Sequence, residues 1–497
     1  MFQIIKRINN KLYHSVSKIN KNTVWLIVLN VVIALSQFIV YALINKNLGK
    51  EMLGVWSLVV AATSIGQISS FGLSNSLVRY LPEMLLKNEK EDVGKMLGTI
   101  NFSNFFFTLP ILMLLYFPAI QYAAHLLNPQ QLLIFKSVIP FSLAGLFINN
   151  LFSAYSFLLD AMQKYYLRSV VQIEGWLLFL ILSTLLMPEY GLMGVGIAFF
   201  IQNILQFITI LAMIYNKRLL KKIYPIHFDK KSFRMVFSFG LRSQYISILV
   251  IFFDPLVKFF ITKNIGLAST GNYEISNKIV MLARNLLVST NQVIIPKIVV
   301  QKETGAENHY FNEISDKNIF FSVSAGLFVL LFAPLAVYFF SNQYDSTLIK
   351  CVIILNIGWV CNMITSVHYY CSIGLDKIGK LVLYHLILTI TVIILYFFLN
   401  HYLHVTLLYF AVPSVALFMG SIYNSYILSK KIEKVFAWLK SGIFLYFIFV
   451  SFILLVISYT TITTTTIITY LIMPIFFFSY LFWVLMRYKK DKLFKPL

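Results

Sequence analysis

Between Ser269 and Lys297 an otherwise membrane-like stretch carries Glu274, Asn277, Lys278, Arg284, Asn285, Asn291 and Gln292. Asn277, Arg284 and Asn291 recur at every seventh position, and so do Lys278, Asn285 and Gln292. At about 3.6 residues per turn the two rows run side by side on one helix face. Charged side chains are costly in hydrocarbon and normally look into a bundle interior or a wet cavity. The chemistry open to such a face is recognition of an anion. Guanidinium grips phosphate bidentately, and amides serve hydroxyls. The face therefore predicts a transport lumen whose substrate carries negative charge.

Depth sorts the remaining intramembrane charges. Lys136 and Lys350 lie one turn inside the outer ends of their spans and are expected to snorkel to the surface. Arg242 sits about two turns in from the inner end of the seventh span, with Asp254 and Lys258 in its outer half. Asp254 with Lys258, and Glu274 with Lys278, are i, i+4 pairs that partly neutralise each other. Arg242 and Arg284 have no carboxylate at helical spacing. Either they meet the anion, or they pair with Glu174 or Asp160 in a structural network. The expected cavity set is Arg284, Lys278, Arg242, Lys258, Asn277, Asn285 and Asn291. Asp254, Glu274 and Glu174 are the candidates for coupled Na+ or H+ entry. Pro255, between Asp254 and Lys258, marks either a hinge or a static bend, because proline removes a backbone donor.

Catalytic constellations are missing from the sequence. No G-x-x-x-x-G-K-[ST] loop encodes an ATP motor. His401 and His404 share a short turn without cysteines or a convincing carboxylate set nearby, so no metal site is expected. His368 and His385 read as core histidines rather than titrating groups. Cys351, Cys361 and Cys371 lack C-x-x-C spacing and read as small core residues. The expectation is a protein that is not an enzyme and needs no cofactor.

The elements that must position these residues are membrane helices. Hydrophobic residues make up 59% of the 497 and charged residues 12%, against roughly 25% charged in soluble domains. Fourteen stretches are long enough to span, at roughly 20 residues each. They cover 23–44, 53–77, 96–117, 132–158, 168–187, 191–215, 236–262, 269–296, 318–341, 346–373, 381–399, 404–429, 441–459 and 466–487. The net charge of +22 does not call for nucleic acid. With the N-terminus in the cytoplasm, only Lys46, Lys50 and Lys263 fall outside. Lys136, Arg242, Lys258, Lys278, Arg284 and Lys350 lie within spans, and the rest of the 41 Lys and Arg face inward. That asymmetry is the positive-inside rule, with both termini cytoplasmic, and the basic loops meet anionic headgroups of membrane lipids.

Five segments follow: a basic N-terminal segment at 1–22, a six-helix bundle at 23–216, a basic linker at 217–235, a second six-helix bundle at 236–429, and a helix pair with a basic tail at 430–497. The two bundles carry a repeat. Gly49, Gly54 and Trp56 stand in the same spacing as Gly266, Gly271 and Tyr273, each set joining the first helix of its bundle to the second. Six spans is an even number, so both bundles enter the membrane in one sense. Their relating axis then lies along the membrane normal, with a central cavity between them.

At these residues the chain resembles the polysaccharide-transporter branch of the multidrug/oligosaccharidyl-lipid/polysaccharide (MOP) exporter superfamily, the Wzx-type lipid-linked oligosaccharide flippases. The carriers are Gly49…Gly54-x-Trp56, Gly72-Leu73-Ser74 leading to Arg79, and Gly266…Gly271-x-Tyr273-x-x-Ser276-x-Lys278 leading to Pro296. Ser276 stands where the family often has Ala. The resemblance implies an all-α polytopic fold of two bundles around a cationic lumen, with Arg79 in the cavity set. It implies passage of undecaprenyl-pyrophosphate-linked oligosaccharide from the inner to the outer leaflet of a bacterial cytoplasmic membrane by alternating access. Such flippases serve cell-surface polysaccharides such as O-antigen or capsule, alongside a polymerase and other glycan-assembly proteins. The rivals are a cation-coupled multidrug exporter of the same superfamily, which calls for an acidic cavity, and a membrane glycan polymerase or ligase, which calls for a large external loop.

Overall fold

The computed structural model describes residues 2–77, 80–81, 84, 90–217, 227–291, 294, 298, 307–341, 345–375, 377–402, 405–429, 432, 434–458 and 479. Side chains are described at these positions apart from 2–23, 27, 75, 90–91, 239, 241–243, 245–246, 289–290 and 378. Among the described residues the chain is all-α. The helices are α1 (Phe2–Leu48), α2 (Lys50–Gly66), α3 (Lys90–Ser103), α4 (Leu109–Ala124), α5 (Pro129–Ala161), α6 (Tyr165–Tyr190), α7 (Leu192–Asn216) and α8 (Lys230–Ile265). They continue as α9 (Leu267–Thr290), α10 (Glu307–Ser341), α11 (Ser346–Ile364), α12 (Ser366–Gly374), α13 (Ile378–Tyr402), α14 (Thr406–Leu428) and α15 (Gly442–Ile457). Of the expected span 466–487, only residue 479 is among the described residues.

Among the described residues, ten helical spans are long and apolar enough to cross a membrane. α9 is not one of them, because it carries Glu274, Lys278 and Arg284. Exposed apolar faces elsewhere read as lipid contacts. On α15, Leu445, Phe449, Phe452 and Val456 form a stripe at helical spacing. The chain is a multi-pass membrane protein.

Local chemistry sets the helix ends. α5 opens on a capping box, with Asn128 and Gln131 each bonding the other's backbone N–H and Pro129 at the first position. Asp345 caps α11 by accepting from the Leu348 N–H at 3.1 Å, and Ser441 caps α15 from Phe444 at 3.2 Å. Asp229 caps α8, and the two hydrogen bonds from Ser232 hold its carboxyl below the usual carboxylate range. Pro110 follows a π-helical turn at Asn104–Thr108, a register change that accommodates a residue lacking its N–H.

The chain forms two compact units. One holds the described residues of Met1–Val40 and Leu58–Ile248, the other those of Tyr41–Ser57 and Leu249–Leu497. In the first, Leu97, Ile100, Leu158, Val171 and Ile210 pack into one core. Buried amides there bond Asn101 to the Tyr155 hydroxyl at 2.8 Å and Asn104 to the Asn150 carbonyl at 3.0 Å. Asp160 pairs with Arg168.

In the second unit the α1–α2 corner packs against α8 to α11. The repeat glycines make this possible. Gly49 and Gly266, each between two helices, have φ of +88° and +96°, a region open to glycine and strained for other residues. Five residues on, Gly54 and Gly271 meet reciprocally. A Cβ on Gly54 would collide with the Leu267 carbonyl, and one on Gly271 with the Lys50 carbonyl. Ser57 and Glu274, 217 residues apart, are hydrogen-bonded at 3.0 Å. The Asn45 amide donates to the Phe340 carbonyl at 2.7 Å, and Lys50 pairs with Asp345. Because the obstructing atoms are backbone, Gly271→Ala is expected to destabilise the fold by about 1–3 kcal/mol. Thermal unfolding of the purified protein checks this, with Gly379→Ala, at an unobstructed position, as the control.

Candidate functional site

Two features of the second unit concentrate polar chemistry. The first is an ion cluster between α8, α9 and the α1–α2 corner. Lys258 is 1% exposed and lies 2.7 Å from Asp254 Oδ2 and 2.8 Å from Glu274 Oε2. Glu274 is also 1% exposed, with Lys278 Nζ 3.8 Å from its other oxygen. Tyr273 donates its hydroxyl to Asp254 at 3.1 Å and Asn277 its amide at 3.4 Å. Lys278 also stands over the Tyr41 ring at 5.4 Å. Both i, i+4 pairs thus form, and Lys258 joins them across the two helices. A buried charge is tolerated when it is paired and hydrogen-bonded like this.

The second feature is a cavity of about 200 Å³. α8 supplies Val250 and Phe253, α9 supplies Arg284, and α11 supplies Trp359 and Asn362. Thr365, Ser366, Tyr369, Tyr384, His385 and Asn424 complete most of the wall. The cavity sits where one predicted span breaks. The stretch 346–373 divides at Thr365 into α11 and α12. Neighbours take up the freed carbonyls, as they must in a membrane. Asn318 donates to the carbonyls of Met363 and Ile364 at 2.9 and 2.8 Å, and Asn424 to that of Thr365 at 2.8 Å.

Arg284 brings the cavity its charge. Its Nε donates to Asn362 Oδ1 at 3.1 Å and an Nη1 hydrogen to Asn285 Oδ1 at 3.1 Å. Its guanidinium stands 5.1 Å from the centre of the Trp359 ring. Among the described residues it makes no ion pair, and no Asp or Glu lines the cavity. Asn362 in turn donates to the Tyr384 hydroxyl at 3.0 Å, and the Tyr369 hydroxyl meets His385 Nε2 at 3.4 Å. A guanidinium fixed by neutral partners and an aromatic face is arranged to receive an anion, with hydroxyls and amides around it for polar substituents.

Residues 19–301, more than half of the chain, match the family described as Polysaccharide biosynthesis protein. The chain belongs to that family. No curated protein matches it. Its fold is that of MOP-superfamily transporters. It superposes on a multidrug resistance MATE family transporter of that superfamily, in an inward-facing conformation, with a TM-score of 0.72 at 12% identity over 84% of this chain and 99% of that one. The lipid II flippase MurJ, inward closed, gives 0.72 at 16% identity over 94% and 98%. A MOP transporter from Pyrococcus furiosus, for which reversed polarity of the binding pocket suggests a different function, gives 0.61 at 13% identity over 85% and 96%.

In this member of the family the expected site residues separate. Arg284 lines the cavity and Asn285 bonds it. Lys258, Lys278, Asp254 and Glu274 form the ion cluster. Asn277 lies between the two, accepting from the Trp359 indole N–H at 2.9 Å. Asn291 bonds Asn318 and Ser366 at 2.8 and 2.7 Å, bracing the helix break. Glu174 is exposed on α6. Pro255 is buried within α8, which continues through it. Arg79 and Gln292 lie outside the described residues, as does the side chain of Arg242. His368 is buried and meets the Val435 carbonyl at 3.0 Å, and the three cysteines are buried and free. Trp359, Asn362, Tyr369, Tyr384 and Asn424 escape the sequence reading. The polar run Asn362, Thr365, Ser366 within an apolar span is the signal that could have found them.

Proposed function

We propose that this protein is a flippase. It moves an undecaprenyl-pyrophosphate-linked oligosaccharide from the inner to the outer leaflet of the bacterial cytoplasmic membrane by alternating access, for cell-surface polysaccharide. The single observation that carries this reading is Arg284, a cation in a cavity whose wall, among the described residues, holds amides and hydroxyls but no carboxylate. Membership of a polysaccharide biosynthesis family supports the oligosaccharide cargo. Both termini lie in the cytoplasm, and the expected partners are the lipid-linked sugar, membrane lipids and a glycan polymerase.

The energetics favour such a device. A pyrophosphate and several sugars cannot cross hydrocarbon unaided, since each unsatisfied polar group costs several kcal/mol. A path that offers polar side chains to the headgroup lowers that cost while the prenyl tail stays in lipid. Moving one negative charge outward gains about 2.3 kcal/mol per 100 mV of membrane potential. No counter-ion is then obligatory. If Na+ or H+ does enter, Asp254 is the best placed carboxylate, being 38% exposed where Glu274 is enclosed by Lys258 and Ser57.

Deleting the gene is expected to abolish the surface glycan and to accumulate its lipid-linked precursor on the inner leaflet, with drug sensitivity unchanged. Precursor extraction and surface-glycan staining check this. Hypersensitivity to cationic drugs with normal glycan would instead favour the multidrug exporter.

A further inference from the structure

Among the described residues, a chain of contacts joins the ion cluster and the cavity. It runs from Arg284 over the face of Trp359, from the Trp359 indole N–H to Asn277 Oδ1 at 2.9 Å, and from Asn277 Nδ2 to Asp254 at 3.4 Å. From Asp254 it passes through Lys258 to Glu274, and from Glu274 to Ser57 on the α1–α2 corner. We propose that the Trp359–Asn277 link couples occupation of the cavity to the fastening of that corner. This rests on the reading of Arg284 as an anion contact.

The geometry supplies the reason. Arg284 has neutral partners and an aromatic face, so an arriving anion offers it more than Trp359 does. Drawing the guanidinium toward the anion removes what lies over the indole. The indole N–H is held by Asn277, which is itself buried, so the two side chains move together. Asn277 and Lys258 share Asp254, and Lys258 and Ser57 share Glu274. A shift at one end therefore redistributes the charge contacts at the other.

The corner is where such a shift matters. Tyr41–Ser57 packs within the second unit, while the chain on either side of it, Met1–Val40 and Leu58–Ile248, belongs to the first. Ser57–Glu274, Lys50–Asp345 and the reciprocal approach of Gly54 and Gly271 hold the corner down. In alternating access, loading the cavity would bias such a fastening toward release. By linkage, loosening the corner must change anion affinity by the same factor. Asn277 and Trp359 are thus positioning residues for the transport cycle.

Hydrogen–deuterium exchange of the full-length protein in lipid nanodiscs, with inorganic pyrophosphate as probe, tests this. Binding is measured in parallel by calorimetry. At saturating probe, amides of 41–57 in the wild type are expected to exchange about fivefold faster or more, the lower end of ordinary coupling. Asn277→Leu, which cannot accept from the indole, is expected to lose that response at saturation. Trp359→Phe, which keeps an aromatic face but no N–H, is expected to lose it too. A purely structural role would raise exchange with and without probe alike. Probe binding without a change in 41–57, or a full response in either variant, overturns the coupling alone. Absence of Arg284-dependent probe binding overturns the coupling and the anion reading together.

Discussion

Replacing Lys258 by methionine is expected to destabilise the protein by about 3–5 kcal/mol, the usual cost of breaking a buried ion pair from one side. Methionine preserves much of the volume, so the loss isolates the charge. Removing the ammonium leaves Asp254 and Glu274 facing the same space. Glu274 would keep the Ser57 hydroxyl at 3.0 Å, Lys278 at 3.8 Å and the Tyr41 hydroxyl, none of which replaces the buried ammonium. The double variant Lys258→Met with Glu274→Gln is expected to regain much of the loss, because a neutral amide oxygen still accepts from Ser57. Thermal unfolding of the single and double variants in detergent gives the comparison. A single variant as stable as the wild type would show that the cluster does not hold α8 to α9.

The largest functional effect is expected at Arg284. Arg284→Gln leaves a shorter, neutral side chain that can still donate through its amide and removes the charge. Export of surface glycan is expected to fall at least tenfold at equal protein level, which corresponds to about 1.4 kcal/mol or more lost from the rate-limiting state. Arg284→Lys is expected to recover only part, because an ammonium lacks the planar fork that binds phosphate bidentately. Surface-glycan quantification, normalised to protein by immunoblot, reads both. Lys278→Ala is expected to act less directly, since Lys278 stands at the ion cluster, 3.8 Å from Glu274.

The helical spans were readable from the sequence because hydrocarbon imposes one rule, that about 20 apolar residues close their own backbone bonds. The repeat was readable too, since a left-handed turn and a close helix crossing both demand glycine, and Gly49, Gly54, Gly266 and Gly271 meet those demands. The i, i+4 pairs are local and were equally visible. The Lys258–Glu274 pair was not, because it forms across the turn at Gly266 and depends on how α8 and α9 pack.

The cavity was harder to see. Its break at Thr365 has neither proline nor glycine to announce it. The break is held by Asn318 and Asn424 from other helices, whose sequence positions say nothing of that task. The seven-residue row of Asn277, Arg284 and Asn291 was also read as one surface. A straight helix drifts by about 20° per seven residues, and the three side chains meet different neighbours. Asn277 reaches Trp359, Arg284 reaches Asn362 and the cavity, and Asn291 reaches Asn318 and Ser366. Charge identified the helix, and tertiary packing decided which of its residues serve the cavity.

The central claim is that a positive cavity carries a phosphate-bearing lipid headgroup across the membrane. Its most direct test is leaflet-resolved transport in vesicles containing only the purified protein and a fluorescent undecaprenyl-pyrophosphate-linked oligosaccharide. The account predicts rapid redistribution of the labelled sugar between leaflets with the wild type, and redistribution near that of protein-free vesicles with Arg284→Gln. Equal redistribution by both proteins, or none by the wild type, would contradict it.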